Sequence, residues 1–231
     1  MSSSLGARQV VERLRSLGDP KNTEGMARFE IQSSTSFGVP VPKLRSLARE
    51  IGRNHQLALE LWETGLHDAR LLASMIDDPA EVTSAQMNEW ASDFDSWDVV
   101  DQSCGNLFDK TPFAIAKAKE WCKREEEYVK RAGFVMMAEL AVHDKDAADK
   151  LFLDFLPLIV EGASDNRNFV KKAVNWSLRQ VGKRNRKLNR AAVATALKIQ
   201  EQGSGAARWI AADALRELRS TQVLKKLREG N

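Results

Sequence analysis

Two five-residue segments, Tyr128-Val129-Lys130-Arg131-Ala132 and Phe169-Val170-Lys171-Lys172-Ala173, repeat one pattern 41 residues apart. A second echo, Leu178-Arg179-Gln180-Val181 against Leu215-Arg216-Glu217-Leu218, follows at a spacing of 37. Both lie in stretches with apolar residues at helical spacing, so one period holds two helices and their turns. A helix pair of that size cannot bury its own apolar face, whereas stacked copies bury one another's. The period therefore predicts an α-solenoid in which equivalent helices lie side by side and line one concave surface.

The remainder of the chain reads the same way. Helical patterns are predicted over 7–17, 23–31, 42–53, 56–63, 68–76, 84–94 and 97–108, then over 112–123, 126–142, 146–160, 168–182, 189–202, 206–218 and 222–228. Their borders carry turn or cap residues: Gly18-Asp19-Pro20, Asp78-Pro79, Thr83, Ser96, Thr111-Pro112, Asp144 and Ser164-Asp165. No stretch alternates with period two beside a hairpin turn, which argues against a sheet. The clearest loop is 32–42, QSSTSFGVPVP. It is expected to connect helices inside one domain spanning 1–231, because a separate unit of about 40 residues could hardly stabilise itself. The expected fold is all-α, a HEAT-like repeat α-solenoid.

Charge divides unevenly along this chain of 231 residues. Residues 1–164 carry 19 Lys+Arg against 27 Asp+Glu, and residues 165–231 carry 16 against 5. Basic charge gathered in the last third suits a face that meets a polyanion. An anionic membrane is the weaker candidate, since the segment lacks the broad Leu/Phe face of an interfacial helix. The start, MSSSLGARQVVERL, has no apolar secretory core, and no apolar run approaches the roughly 20 residues that span a bilayer. Cys104 and Cys122 are too few for a disulfide framework, and His55, His67 and His143 show no metal-ligand spacing. A reduced, cytoplasmic monomer with no metal and no cofactor is expected.

The stretch 165–187 places two stripes on one helix. Val170, Val174, Ser177 and Val181 fall on one face, with Ala173 and Leu178 at its edges. Lys172, Trp176, Arg179 and Lys183 form a second stripe at i, i+4, i+7 and i+11. A tryptophan amid basic residues suits phosphate neutralisation combined with contact to sugar or base. The alternative is that Trp176 packs under a neighbouring helix while the cations are merely solvated. In SWDVVDQSCGNLF, 96–108, Trp97 and Asp101 are one turn apart, while Val100, Cys104 and Leu107 mark the adjoining buried face. Asp101 thus sits at the border of the core, as a partly desolvated carboxylate or as the partner of a cation on the next helix. Arg131 lies in the apolar run RAGFVMMAELAV, where an unpaired guanidinium is costly, so it must meet an internal carboxylate or an external anion.

Taken together, Trp97-Asp98-Val99-Val100-Asp101, Lys130-Arg131-Ala132 and Phe169-Val170-Lys171-Lys172-Ala173, with Trp176 and Leu178-Arg179, resemble the AlkD-type DNA alkylation repair family. Met26-Ala27-Arg28-Phe29 and Phe37-Gly38-Val39 are similar to its N-terminal signature, and the likeness runs from about Arg8 to Leu218. The resemblance implies a HEAT-like fold with a DNA-binding groove and excision of cationic N3- and N7-alkylated purines from double-stranded DNA. By position it makes Trp97 and Trp176 the aromatic pair, Asp101 the catalytic carboxylate and Arg131 a phosphate clamp. Lys172, Arg179, Lys183 and Phe29 would join it in holding DNA.

The implied chemistry is simple. An alkylated purine is already a good leaving group, so what remains is to stabilise an oxocarbenium-like sugar and position water, a task for a preorganised carboxylate. Indole faces add cation–π contacts. No lysine stands as an evident Schiff-base nucleophile, so no lyase step is expected. Two departures are visible: Phe29 stands where active members usually carry tyrosine, and Ser96 stands where a second tryptophan can precede Trp97. A non-catalytic binder of distorted or branched DNA and a protein-binding HEAT scaffold are the alternatives.

Overall fold

The computed structural model describes residues 6–229 apart from Gln32. Among the described residues it is helical throughout, without a strand. The helices are α1 Ala7–Leu17, α2 Pro20–Met26, α3 Val41–Ile51, α4 His55–Glu63, α5 His67–Ile76, α6 Ser84–Ser92 and α7 Trp97–Asn106. They continue as α8 Ala114–Trp121, α9 Glu127–His143, α10 Asp149–Gly162, α11 Asn168–Gly182, α12 Arg186–Gln200, α13 Gly205–Leu218 and α14 Thr221–Glu229. Short 3-10 turns occupy Ala27–Phe29 and Phe108–Lys110. The chain divides after Thr111 into two compact units.

In the first unit α3, α5 and α7 lie side by side, with α4 against α5 and α1 against both. Leu44 and Leu47 of α3, Leu71, Leu72 and Ile76 of α5, and Val99, Val100 and Cys104 of α7 are buried between them. Burying each such side chain contributes about 1.5–3 kcal/mol. Trp62 of α4 stacks on Trp90 of α6 with ring centroids 3.9 Å apart, and its indole N–H donates to Asp93 at 2.9 Å. The second helix begins at Pro20, three residues before the sequence pattern suggests. Asp19 caps it by accepting from the Lys21 N–H at 3.0 Å, and proline at the first helical position loses no hydrogen bond. The expected loop at 32–42 is present from Ser33 to Pro40, while Gln32 lies outside the described residues.

In the second unit α9, α11 and α13 form one row, with α8, α10 and α12 packed against them and α14 on α13. This is the stacking that the repeat period predicts. Tyr128 and Phe169, equivalent positions of the 41-residue repeat, touch with ring centroids 5.7 Å apart. The forecast core stripe of α11 is buried entire: Val170, Ala173, Val174, Ser177, Leu178 and Val181. A close approach joins α8 to α9 at Gly133, where an added Cβ would stand 2.2 Å from the Cys122 nitrogen. Helix α12 starts at Arg186, before the expected Asn189, because the Asn185 side chain caps it by accepting from Leu188 N–H at 2.9 Å. No helix among the described residues is long and apolar enough to cross a membrane.

Candidate functional site

Helix α7 follows the N-cap residue Ser96, which has extended backbone, and carries an acid in its first turn that complements the helix dipole. That acid, Asp98, has a structural duty. It accepts from the Ser96 hydroxyl and from the Val99 N–H at 3.0 Å, and it pairs with His67 Nε2 at 2.9 Å. Burial penalises charge on both members, but their mutual hydrogen bond and Coulomb attraction outweigh it. The His67 pKa is raised, helped by Asp68 and Asp95, and that of Asp98 is lowered, helped by Ser96 and the Val99 N–H. The neighbouring Asp68 ties down the loop: its carboxylate accepts from Ser36 Oγ at 3.0 Å, Phe37 N–H at 2.6 Å and Val39 N–H at 2.8 Å. Loop, α5 and α7 are thereby locked together. Nothing in the sequence pattern pairs His67 with Asp98, since the contact spans 31 residues.

Trp97 and Asp101 are both half-buried. The Trp97 indole N–H donates to the Phe29 carbonyl at 2.8 Å, which fixes the ring against the end of the first 3-10 turn. That carbonyl is available because the turn closes differently. Glu30 adopts a left-handed φ of 57°, and the Ile31 N–H returns to the Met26 carbonyl at 3.2 Å. The Phe29 side chain itself is 66% exposed. Asp101 follows Trp97 by one turn and so shares its face of α7. The first unit therefore brings together Phe29, Trp97 and Asp101.

The second unit holds the other residues singled out in the sequence. Arg131 is 5% exposed, and its Nη1 donates to the Phe169 carbonyl at 2.7 Å, linking α9 to α11. On α11, Lys172 is exposed and Trp176 half-buried, so the ring belongs to the surface stripe rather than the core. Arg179 and Lys183 are paired. Glu217 of α13 accepts from Arg179 Nη1, and from Lys183 Nζ at 2.8 Å, while Asp213 lies 3.6 Å from Arg179. Burial opposes charge on Glu217, yet Lys183 and Arg179 prevail and hold its pKa below the ordinary value. Two of the three cations of the expected basic stripe are thus paired with the next helix in the row.

Comparison with known proteins agrees with this architecture. The family model described as DNA alkylation repair enzyme matches residues 10–218. A solved structure has a TM-score of 0.77 at 20% identity, covering 93% of this chain and 96% of that one. It is described as a new family of proteins related to the HEAT-like repeat DNA glycosylases with affinity for branched DNA structures. The fold is accordingly HEAT-like and all-α. The uncharacterized protein Lin0241 of Listeria innocua is 26% identical over 106 residues, 45% of this chain and 47% of that protein. Lmo0209 of Listeria monocytogenes, also uncharacterized, is 24% identical over 106 residues, with the same coverage. The chain spans about half the length of these curated relatives.

Proposed function

Because the chain belongs to the DNA alkylation repair enzyme family, we propose that it is a DNA glycosylase that releases cationic N3- and N7-alkylated purines from duplex DNA. The observation that carries this reading is on α7. Trp97 is held by its indole N–H against the Phe29 carbonyl, and Asp101 stands one turn further on the same face while Asp98 is engaged by His67. Asp101 supplies negative charge where the sugar becomes oxocarbenium-like, and it orients the attacking water. The Trp97 ring face contacts the sugar. In the second unit, Trp176 offers a second aromatic surface to the DNA, while Lys172 and Arg131 hold its phosphates. Arg179 and Lys183 serve through the charge they share with Glu217. The carbon–nitrogen bond is hydrolysed without an enzyme-bound intermediate, so strand cleavage does not follow.

The related protein with affinity for branched DNA favours a second reading, a binder that excises nothing. Incubating the protein with methylated duplex and measuring free 3-methyladenine and 7-methylguanine separates the two. Release above the spontaneous background supports the enzyme. Background release alone, together with tighter binding of a four-way junction than of a duplex, establishes the binder instead.

A further inference from the structure

Residues 1–111 hold 11 Lys+Arg against 17 Asp+Glu, so the first unit is acidic. Yet one pocket of this unit, about 370 Å³, is lined by Arg45, Arg49, Arg53 and Lys110 and by no carboxylate. Four cations collected against the local balance of charge call for a cause.

Two of them have a structural one. Arg53 Nη1 donates to the Asp77 carbonyl just past the end of α5, and Lys110 Nζ donates to the Gly105 and Asn106 carbonyls at the end of α7, at 2.6 and 3.0 Å. Lys110 also meets Asp109 at 2.8 Å. Both therefore complement helix C-termini, where carbonyls are orphaned and the dipole is negative. Arg45 and Arg49 have no such duty. They are exposed, one turn apart on α3, and neither has a hydrogen-bond or ion-pair partner among the described residues. The neighbouring acid, Glu50, already accepts from Nη1 and Nη2 of Arg13. Between the cations the wall is made of Ala48, Gly52, Met75, Gly105 and Asn106, and its alanine and two glycines leave room for an approaching chain.

The position of the pocket indicates its ligand. Trp97, Asp101 and Gly105 follow at i, i+4 and i+8, so one face of α7 runs from the proposed reaction site to the pocket wall. Asp101 and Gly105 are separated by about 6 Å along the helix axis. That is about two nucleotide steps of one DNA strand at roughly 3.4 Å each. We infer that the pocket takes a backbone phosphate of the DNA strand lying along this face, gripped by Arg45 and Arg49, about two or three nucleotides from the damaged one. Arg53 and Lys110 offset the helix ends, and the two free guanidiniums give the fork geometry that phosphate oxygens match. The inference rests on the proposed DNA binding but does not depend on base release.

The test measures affinity of the full chain for a short fluorescent duplex at several salt concentrations, for the parent, R45A/R49A and R45K/R49K. In R45A/R49A the affinity should fall about 10-fold or more, and the slope against log salt should drop by about one, the loss expected for one phosphate contact. R45K/R49K should recover the slope but only part of the affinity, because lysine keeps the charge and loses the fork. Neutral methylphosphonate placed singly along each strand should weaken the parent at one position near the lesion and leave R45A/R49A unaffected there. Unaltered thermal unfolding of both variants is expected, since both arginines are exposed and neither has a hydrogen bond or ion pair to lose among the described residues. If the parent binds steeply and R45A/R49A matches it, the pocket assignment falls while DNA binding stands. If inorganic phosphate protects the pocket at low concentration and no methylphosphonate position matters, the site is one for a small anion and the duplex assignment is wrong. Failure of the parent to bind any duplex overturns both readings.

Discussion

Asp98 and Asp101 stand three residues apart on α7, and their surroundings give them different work. Asp98 is fixed by Ser96, the Val99 N–H and His67, whereas Asp101 lies half-buried on the face of α7 that carries Trp97. The His67–Asp98 pair predicts a pH dependence of stability. The folded-state pKa of His67 is raised, so its stabilisation is complete below the ordinary value of about 6.5 and is lost as pH rises through the folded value. That of Asp98 is lowered, so its stabilisation is present above about 3.9 and is lost as pH falls through the folded value. The pair therefore helps most between about pH 4 and 6.5. Urea unfolding at about pH 6 and pH 8 should show the parent losing more stability across that interval than His67→Gln. Equal losses would remove the pair as the source. The placing of Asp101 one turn from Trp97 on a single helix was legible from their spacing because the signal is local. His67 was not, because its partner is distant in sequence and only the packing of α5 on α7 joins them.

Helix α11 shows what helical spacing reveals and what it conceals. Its buried face was readable residue by residue, since periodicity reports which side of a helix meets the core. Its basic face was readable as a stripe, but not as paired charge, because Glu217 and Asp213 come from α13. Lys172→Ala should therefore lower the salt slope of DNA binding by about one, and Arg179→Ala should lower it less, because Arg179 is already neutralised. A larger effect from Arg179 would mean that DNA displaces Glu217. The α8–α9 contact yields a prediction about packing. In Gly133→Ala the new methyl meets the backbone at Cys122, which cannot rotate away, so the urea midpoint should fall by the equivalent of about 1–3 kcal/mol despite the better helix propensity of alanine. A midpoint equal to that of the parent would show that α8 yields freely.

At the scale of the whole molecule, the 41- and 37-residue echoes specified the fold because equivalent helices occupy equivalent places, as α9, α11 and α13 do. The last-third excess of positive charge was equally legible, yet it gave only part of the basic surface. The Arg45–Arg49 pair sits in an acidic unit, where net charge conceals it. The division after Thr111 leaves Trp97 and Asp101 in one unit and Arg131, Lys172 and Trp176 in the other. The proposed reaction therefore assigns chemistry to the first and grip to the second. The most direct test compares the parent with Asp101→Asn on methylated duplex at saturating protein, with spontaneous base loss subtracted. The substitution preserves size and hydrogen-bonding capacity and removes the charge. Affinity for undamaged duplex should be unchanged or slightly improved, and the rate of base release should fall by about 10²-fold. Base release by folded Asp101→Asn as fast as by the parent would contradict the assignment of the chemistry to Asp101.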